Sequence, residues 1–190
     1  MIFRQGLLVC LMLVGLLTGC ALSPQQLTPD PVISQALPQV GHGQSVNVRV
    51  TDNRGTEVIG TRGGLYASTS NINLQASDIL PKLQQQAEQA LTKMGYKPQT
   101  GGGDITLTII IDTISYQATD SSLANGADIK AILRSQLQTP SKSYNGRYTS
   151  SISQNFASAP NLATNNQLVG EVLSNALTSL FKDTHLTDAM

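Results

Sequence analysis

Ile105-Thr106-Leu107-Thr108-Ile109-Ile110-Ile111-Asp112-Thr113-Ile114-Ser115-Tyr116 decides the fold of this chain. Ile105, Leu107, Ile109 and Ile111 recur with a period of two, so they share one face of a long strand whose other face is polar. Ile114 and Tyr116 fall in the opposite phase. One extra residue near Asp112 would bring them back to the same face, which predicts a β-bulge there. Beyond a polar loop from Thr119 to Gly126, the residues Ala127, Ile129, Ala131, Leu133 and Leu137 form the inward face of a second strand. After Thr139-Pro140-Ser141, the residues Tyr144, Tyr148, Ile152 and Phe156 do the same for a third. Short polar links between the three make an antiparallel meander the expected topology.

Upstream, Val46, Val48 and Val50 alternate with polar residues and predict one more strand, closed by the turn residues Asp52-Asn53-Arg54-Gly55. The segment from Gly55 to Gln75, with Gly60, Gly63 and Gly64, reads as a loop holding short strands near Val58 and Ile72. Leu80, Leu83, Ala87, Leu91 and Met94 recur at helical spacing. They predict an amphipathic helix that opens at an N-cap on Ser77 and stops at Gly95. Leu168, Val172, Leu173, Ala176, Leu177, Leu180 and Phe181 predict a second helix, entered through a capping box at Thr164 and Gln167 and ending near Asp183. The order strand, helix, three strands, helix specifies a two-layer α+β domain: an antiparallel sheet of about four strands with two amphipathic helices on one face.

The N-terminus has a different character. Arg4 precedes an apolar run from Leu7 to Leu17, the layout of a secretory signal, and the run is too short for the roughly 20 residues of a membrane span. Leu17-Thr18-Gly19-Cys20 resembles a bacterial lipobox. The resemblance implies cleavage after Gly19 and acylation of Cys20, and several acyl chains together make a durable membrane anchor. Ala21 stands where an Asp favours inner-membrane retention, which points to the outer membrane, with the domain facing the periplasm. Residues 1–19 are thus expected to be a signal peptide and 20–44, with Pro24, Pro29, Pro31 and Pro38, a flexible tether. Residues 45–190 are expected to form the periplasmic domain. Such a tether, fully extended, would reach roughly 80 Å and let the domain stand clear of the membrane.

Composition excludes several classes of function. Lys and Arg total 12, one of them Arg4, against 12 Asp and Glu, so the mature part is close to neutral and carries no footprint for nucleic acid. Cys10 and Cys20 are the only cysteines, so past Cys20 there is neither a disulfide nor a free thiol. Two histidines, His42 and His185, lie far apart with no ligand at metal spacing, so neither a metal nor another cofactor is expected. Gly101-Gly102-Gly103 precedes a strand rather than a helix and reads as a turn, not a phosphate cradle. Asp104, Asp112 and Asp128 sit near strand positions, where carboxylates usually satisfy turns or face water. Asp52, Arg54 and Arg62 are the charges best placed for a recognition patch beside the Gly-rich loop; the plainer reading is an ion pair that pins the turn. Tyr144, Tyr148 and Phe156 could form a sugar platform, but their spacing with Ile152 favours sheet core.

The lipobox, the strand end from Val46 to Arg54, the helix closing on Met94-Gly95-Tyr96, and the final helix with Lys182-Asp183 and Leu186 together resemble the YajG family of proteobacterial lipoproteins. That resemblance implies an outer-membrane lipoprotein and supplies no catalytic residue. The expected role is a non-enzymatic module, held to the membrane by its lipid, that binds an envelope protein or peptidoglycan through its exposed sheet edge. The alternative is a carrier of small ligands or lipid, with a pocket between sheet and helices.

Overall fold

The computed structural model describes residues 22–64, 67–120 and 125–190. Its sheet has eight strands: β1 (Gln25–Gln26), β2 (Ser45–Asp52), β3 (Val58–Thr61), β4 (Asn71–Asn73), β5 (Lys97–Gln99), β6 (Ile105–Asp120), β7 (Asn125–Gln138) and β8 (Ser143–Phe156). The helices are α1 (Ala76–Lys93), α2 (Leu162–Phe181) and the short α3 (Thr184–Ala189).

Strand β6 is the spine. Along one side it pairs antiparallel with β7, and β7 pairs antiparallel with β8, which is the expected meander. The register slips between Ile111 and Thr113, so Asp112 is the extra residue of a bulge, and Ile111, Ile114 and Tyr116 are all buried as a result. Along its other side β6 pairs with β2 in parallel, Val48 opposite Leu107 and Val50 opposite Ile109. Here the expectation of four antiparallel strands fails. Between β2 and β6 the chain crosses the layer through α1, so the two strands run the same way. Short strands then lengthen both flanks: β5 pairs with β2, while β3, β4 and β1 extend the far end of β6. The short strands expected near Val58 and Ile72 are β3 and β4, whereas β1 and β5, of two and three residues, carry too little periodicity to be read from sequence.

At the β3–β6 contact Gly60 stands opposite Tyr116, and a Cβ there would collide with the Tyr116 carbonyl. Gly95 ends α1 with φ +94°, the left-handed conformation that suits a glycine C-cap. The helix begins two residues earlier than expected: Gln75, not Ser77, is its N-cap and makes no side-chain cap bond. In α2 the N-cap is Asn161, whose side chain accepts from the Thr164 backbone N–H at 2.9 Å, so the expected Thr164 box gives way to the residue three positions before it.

Both long helices cover one face of the sheet. Ile79, Leu83, Ala87 and Leu91 of α1 and Leu168, Val172, Leu173 and Leu177 of α2 are fully buried or nearly so, as are Leu107, Ile109, Ile129 and Leu133 beneath them. Side chains thus fill the layer where a ligand pocket was the alternative. Helix α3, absent from the expected order, folds back against β8. Asp183 caps it by accepting from the His185 N–H at 3.0 Å, and the other carboxylate oxygen accepts from both the Tyr144 and Tyr148 hydroxyls at 2.7 Å. Burial alone would raise the Asp183 pKa, but these bonds hold it below the ordinary value. Of the aromatic residues expected in the sheet core, Tyr148 is buried, while Tyr144 and Phe156 pack against the core and stay partly exposed, and the two tyrosine hydroxyls serve the helix corner.

The expected tether from 20 to 44 is also corrected. Gln25, Leu27, Pro29, Pro31 and Ile33 are buried, and Gln25–Gln26 pair with β4. The segment from Thr28 to Gln35 lies between the long helices. Lys82 of α1 donates to the carbonyls of Thr28 and Pro29, and Gln86 of α1 accepts from the Ile33 N–H. From the other side Asn166 accepts from the Thr28 N–H, Ser174 of α2 accepts from the Val32 N–H, and Lys182 donates to Gln35. Seven extended residues span about 23 Å, and the sixteen helical residues from Asn166 to Lys182 about 24 Å, so strap and helix advance together. Prolines favour this extended path. Composition alone suggests a tether because alternating burial in a Pro-rich stretch is invisible without the groove that receives it. Leu27→Ala is expected to cost about 2–5 kcal/mol in urea unfolding, as for a core leucine; a freely moving tether would show no change.

Candidate functional site

Leu17, Thr18, Gly19 and Cys20 lie outside the described residues. Asp52, Arg54 and Arg62 lie inside them but do not form an open patch. Arg54 Nη2 meets Asp52 Oδ2 at 2.6 Å, its Nε lies 2.9 Å from Oδ1, and its backbone N–H donates to Oδ1 at 3.0 Å. Nη2 also donates to the Leu74 carbonyl at 3.0 Å. The two side chains are only 5% and 12% exposed. This pair joins the end of β2 to the segment that enters α1. Burial by itself raises the Asp52 pKa, but the Arg54 hydrogen bonds and charge outweigh it and hold the carboxyl below its ordinary value. Arg62 donates elsewhere, to the carbonyls of Ser23 at 3.1 Å and Pro160 at 3.2 Å. It ties the start of the strap to the approach of α2. Beside it Tyr116 donates to Asn165 at 2.9 Å, and burial pushes that hydroxyl up to about 12, against the pull of the Arg62 charge and the Asn165 bond.

The surface that remains available is the sheet face opposite the helices. Alternation puts Asn47, Arg49 and Thr51 of β2 there, with Thr106, Thr108 and Ile110 of β6, the even-numbered residues of β7 from Asp128 to Gln138, and the odd-numbered residues of β8. Registers set them in rows: Thr51, Ile110, Arg134 and Arg147 make one, and Arg49, Thr108, Gln136 and Asn145 the next. The bulge presents Asp112 to both arginines, with Arg134 Nη2 at 2.7 Å from Oδ1 and Arg147 Nη1 at 3.2 Å from Oδ2. One carboxylate cannot neutralise two guanidinium groups. Together with Arg49 and Lys130, and with Asp128 taking the Ser153 hydroxyl bond, the face carries a cationic excess.

This charged ridge separates two polar troughs. One, about 370 Å³, runs between Thr106, Thr108, Gln136, Gln138 and Asn145. The other, about 310 Å³, lies between Ser115, Gln117, Asp128, Lys130 and Ser151. A third cleft of about 550 Å³ opens at the end of the sheet between Gln99, Asp104 and Lys142. Hydroxyls, amides and guanidinium groups suit hydrogen bonding to a polar, acidic surface. In the second trough the Ser153 hydroxyl donates to Asp128, and no histidine lies among the residues that line either trough. Asp104 and Asp128 are apart from Asp112, which its arginines occupy. Among the described residues no group of three or more His, Cys, Asp or Glu could hold a metal, and no helix is long and apolar enough to cross a membrane. The sequence did not single out Arg134 and Arg147, because their meeting at Asp112 depends on the bulge and on two strand registers at once.

A family described as "Uncharacterized lipoprotein" matches residues 31–190. No curated protein matches the chain. Among solved structures, a Xanthomonas campestris protein is similar with a TM-score of 0.53 at 18% identity, covering 87% of this chain and 95% of its own, which shows a shared fold. A minor lipoprotein from Acinetobacter baumannii gives a TM-score of 0.41 at 11% identity over 76% of this chain and 90% of its own.

The Asp52–Arg54 pair generates a test. A carboxylate whose folded pKa is depressed adds stability that is complete above the unfolded value of about 3.8 and is lost as pH falls through the folded one. Wild-type stability should therefore fall on acidification below about pH 4, and Asp52→Asn should flatten that part of the profile. Arg54→Ala should cost about 3–5 kcal/mol at neutral pH, because it leaves the carboxylate buried and unpaired.

Proposed function

The chain belongs to this uncharacterized lipoprotein family, and from that premise we propose that it is a non-catalytic component of the outer membrane, anchored through Cys20, whose open sheet face binds an acidic envelope partner on the periplasmic side. The observation that carries the reading is that face. It is four strands wide, free of helices, lined with Ser, Thr, Asn and Gln, and centred on two arginines that share one aspartate. Core packing explains the inward residues of β6, β7 and β8 but asks nothing of the outward ones. A cationic, hydrogen-bonding surface steers and orients an acidic partner more than it tightens it. No aromatic ring lies among the outward residues of these strands, so stacking on a neutral sugar has no platform there.

The strap supports a position close to the membrane. Arg62 already holds the Ser23 carbonyl, so three residues separate that point from Cys20, a reach of about 10 Å. A lipid on Cys20 would keep the domain at the bilayer surface, not at the end of a long lead. The alternative, a carrier with its ligand between sheet and helices, has no observation in its favour, since side chains occupy that layer.

Photo-crosslinkers placed in living cells at Lys130 or Gln136 on the open face, and at Gln85 on α1 as a control, test the partner. One recurrent envelope protein from the two open-face positions, lost when Arg134→Glu and Arg147→Glu are combined, is the expected result. The same diffuse products from all three positions, or a reproducible hydrolytic activity of the purified protein, would overturn the reading. Cys20→Ala should remove the acyl mass from the intact protein and release it from the membrane fraction; an unchanged mass and fractionation would refute the anchor.

A further inference from the structure

Strand β8 pairs with β7 on one side, and among the described residues nothing pairs with its other side. At 14 residues it is long for an edge. The usual devices that blunt edges are missing from it. It contains no proline, its register with β7 runs without a shift from Ser143 to Phe156, and Arg147 is its one charge. On its inward face, toward the helices, Tyr144, Ile152 and Phe156 pack against the core but remain partly exposed.

The sequence of this edge is pseudo-symmetric in character about Ser150 at four of six pairs, with Gly146 and Gln154, and Arg147 and Ser153, the two that differ. Tyr144 mirrors Phe156, Asn145 mirrors Asn155, Tyr148 mirrors Ile152, and Thr149 mirrors Ser151. In an antiparallel pair, residues equidistant from the twofold axis stand opposite each other, so such a strand is complementary to itself. We propose that β8 pairs antiparallel with β8 of a second copy, centred on Ser150, and joins the two sheets into one.

This register sets Tyr144 beside the partner's Phe156 and Tyr148 beside the partner's Ile152, closing the apolar margin on the inward face. Moving the centre by two residues in either direction leaves one of the four apolar residues without a partner strand and brings Pro140 or Pro160 into the seam. On the outward face Arg147 comes opposite the partner's Ser153, whose hydroxyl is already bonded to Asp128. A cation of each copy thus faces the carboxylate-bearing end of the other, and no like charges meet. The seam uses only the edge, so the open face remains uncovered and the proposal is independent of what that face binds.

The full chain in native membranes provides the test. At Ser150 the two backbones lie about 4.5–5.5 Å apart between Cα atoms, within the span of a disulfide. Mild oxidation should therefore dimerise Ser150→Cys. Asn145→Cys alone, roughly 33 Å from its copy, should not crosslink, nor should Asn155→Cys, whereas the double variant should. Thr149→Lys combined with Ser151→Lys puts like charges opposite each other across the seam on solvent-exposed positions, and Ser151→Lys alone, which faces Lys130 within its own copy, is the control for folding. In sedimentation of the detergent-solubilised full chain, wild type should be a dimer, and the double-lysine variant should dissociate at a concentration roughly tenfold higher or more. A monomeric wild type, a dimer that the lysines leave unchanged, or crosslinks from Asn145→Cys alone as strong as those from Ser150→Cys would overturn the proposal.

Discussion

The helix layer depends on the hydrogen bonds that seat Thr28 to Gln35 between α1 and α2. A sheet five to six strands across is wider than two helices can cover by themselves, and the gap between them would expose the apolar residues of the central strands. Leu27 and Ile33 fill it. Extended backbone placed there needs partners for its N–H and carbonyl groups, and it finds them in Lys82 and Gln86 on one side and Asn166 and Ser174 on the other. The helices are polar toward the groove because the strap, not water, uses those groups.

The same segment connects fold to placement. A residue chain that begins as strand β1, becomes a strap and ends on the C-terminus of α1, where the Val40 and Gly41 N–H groups donate to Met94, has little slack left for reach. What had the composition of a tether is part of the domain. Ordering it costs conformational entropy, which the buried Leu27 and Ile33 and the bonds to both helices offset, and its length is no longer available as a free lead.

Much of this was legible in the sequence. The period-two runs of β6, β7 and β8 are long enough to fix strand, face and even the bulge, since only an extra residue lets Ile111 and Ile114 both face inward. The apolar stripes of α1 and α2 are equally clear, and Gly95 marks the end of α1 through the φ it must adopt. Parallel pairing of β2 with β6 was not legible, because alternation fixes a face and says nothing of direction. Nor was the strap, whose burial is set by Lys82, Gln86 and Asn166, polar residues outside the apolar stripes. The charge cluster failed for a related reason. Asp52 and Arg54 are neighbours in sequence and could be paired on sight, whereas Asp112, Arg134 and Arg147 meet only across three strands.

A long unprotected edge is an aggregation hazard, and the opposite flanks of this sheet show the usual remedy: β1 and β5 are two and three residues long and offer little to pair with. That β8 is left at full length therefore calls for a reason. A twofold axis at Ser150 would stand normal to the sheet, so two copies anchored by short leads to one bilayer could share the seam only with the sheet lying parallel to the membrane. In that arrangement the two open faces form one continuous polar surface, and the helix layers, with their straps and anchors, lie together on the other side. The edge, the strap and the charged face then answer a single geometric requirement, which is to hold a broad binding surface at a fixed height above the lipid.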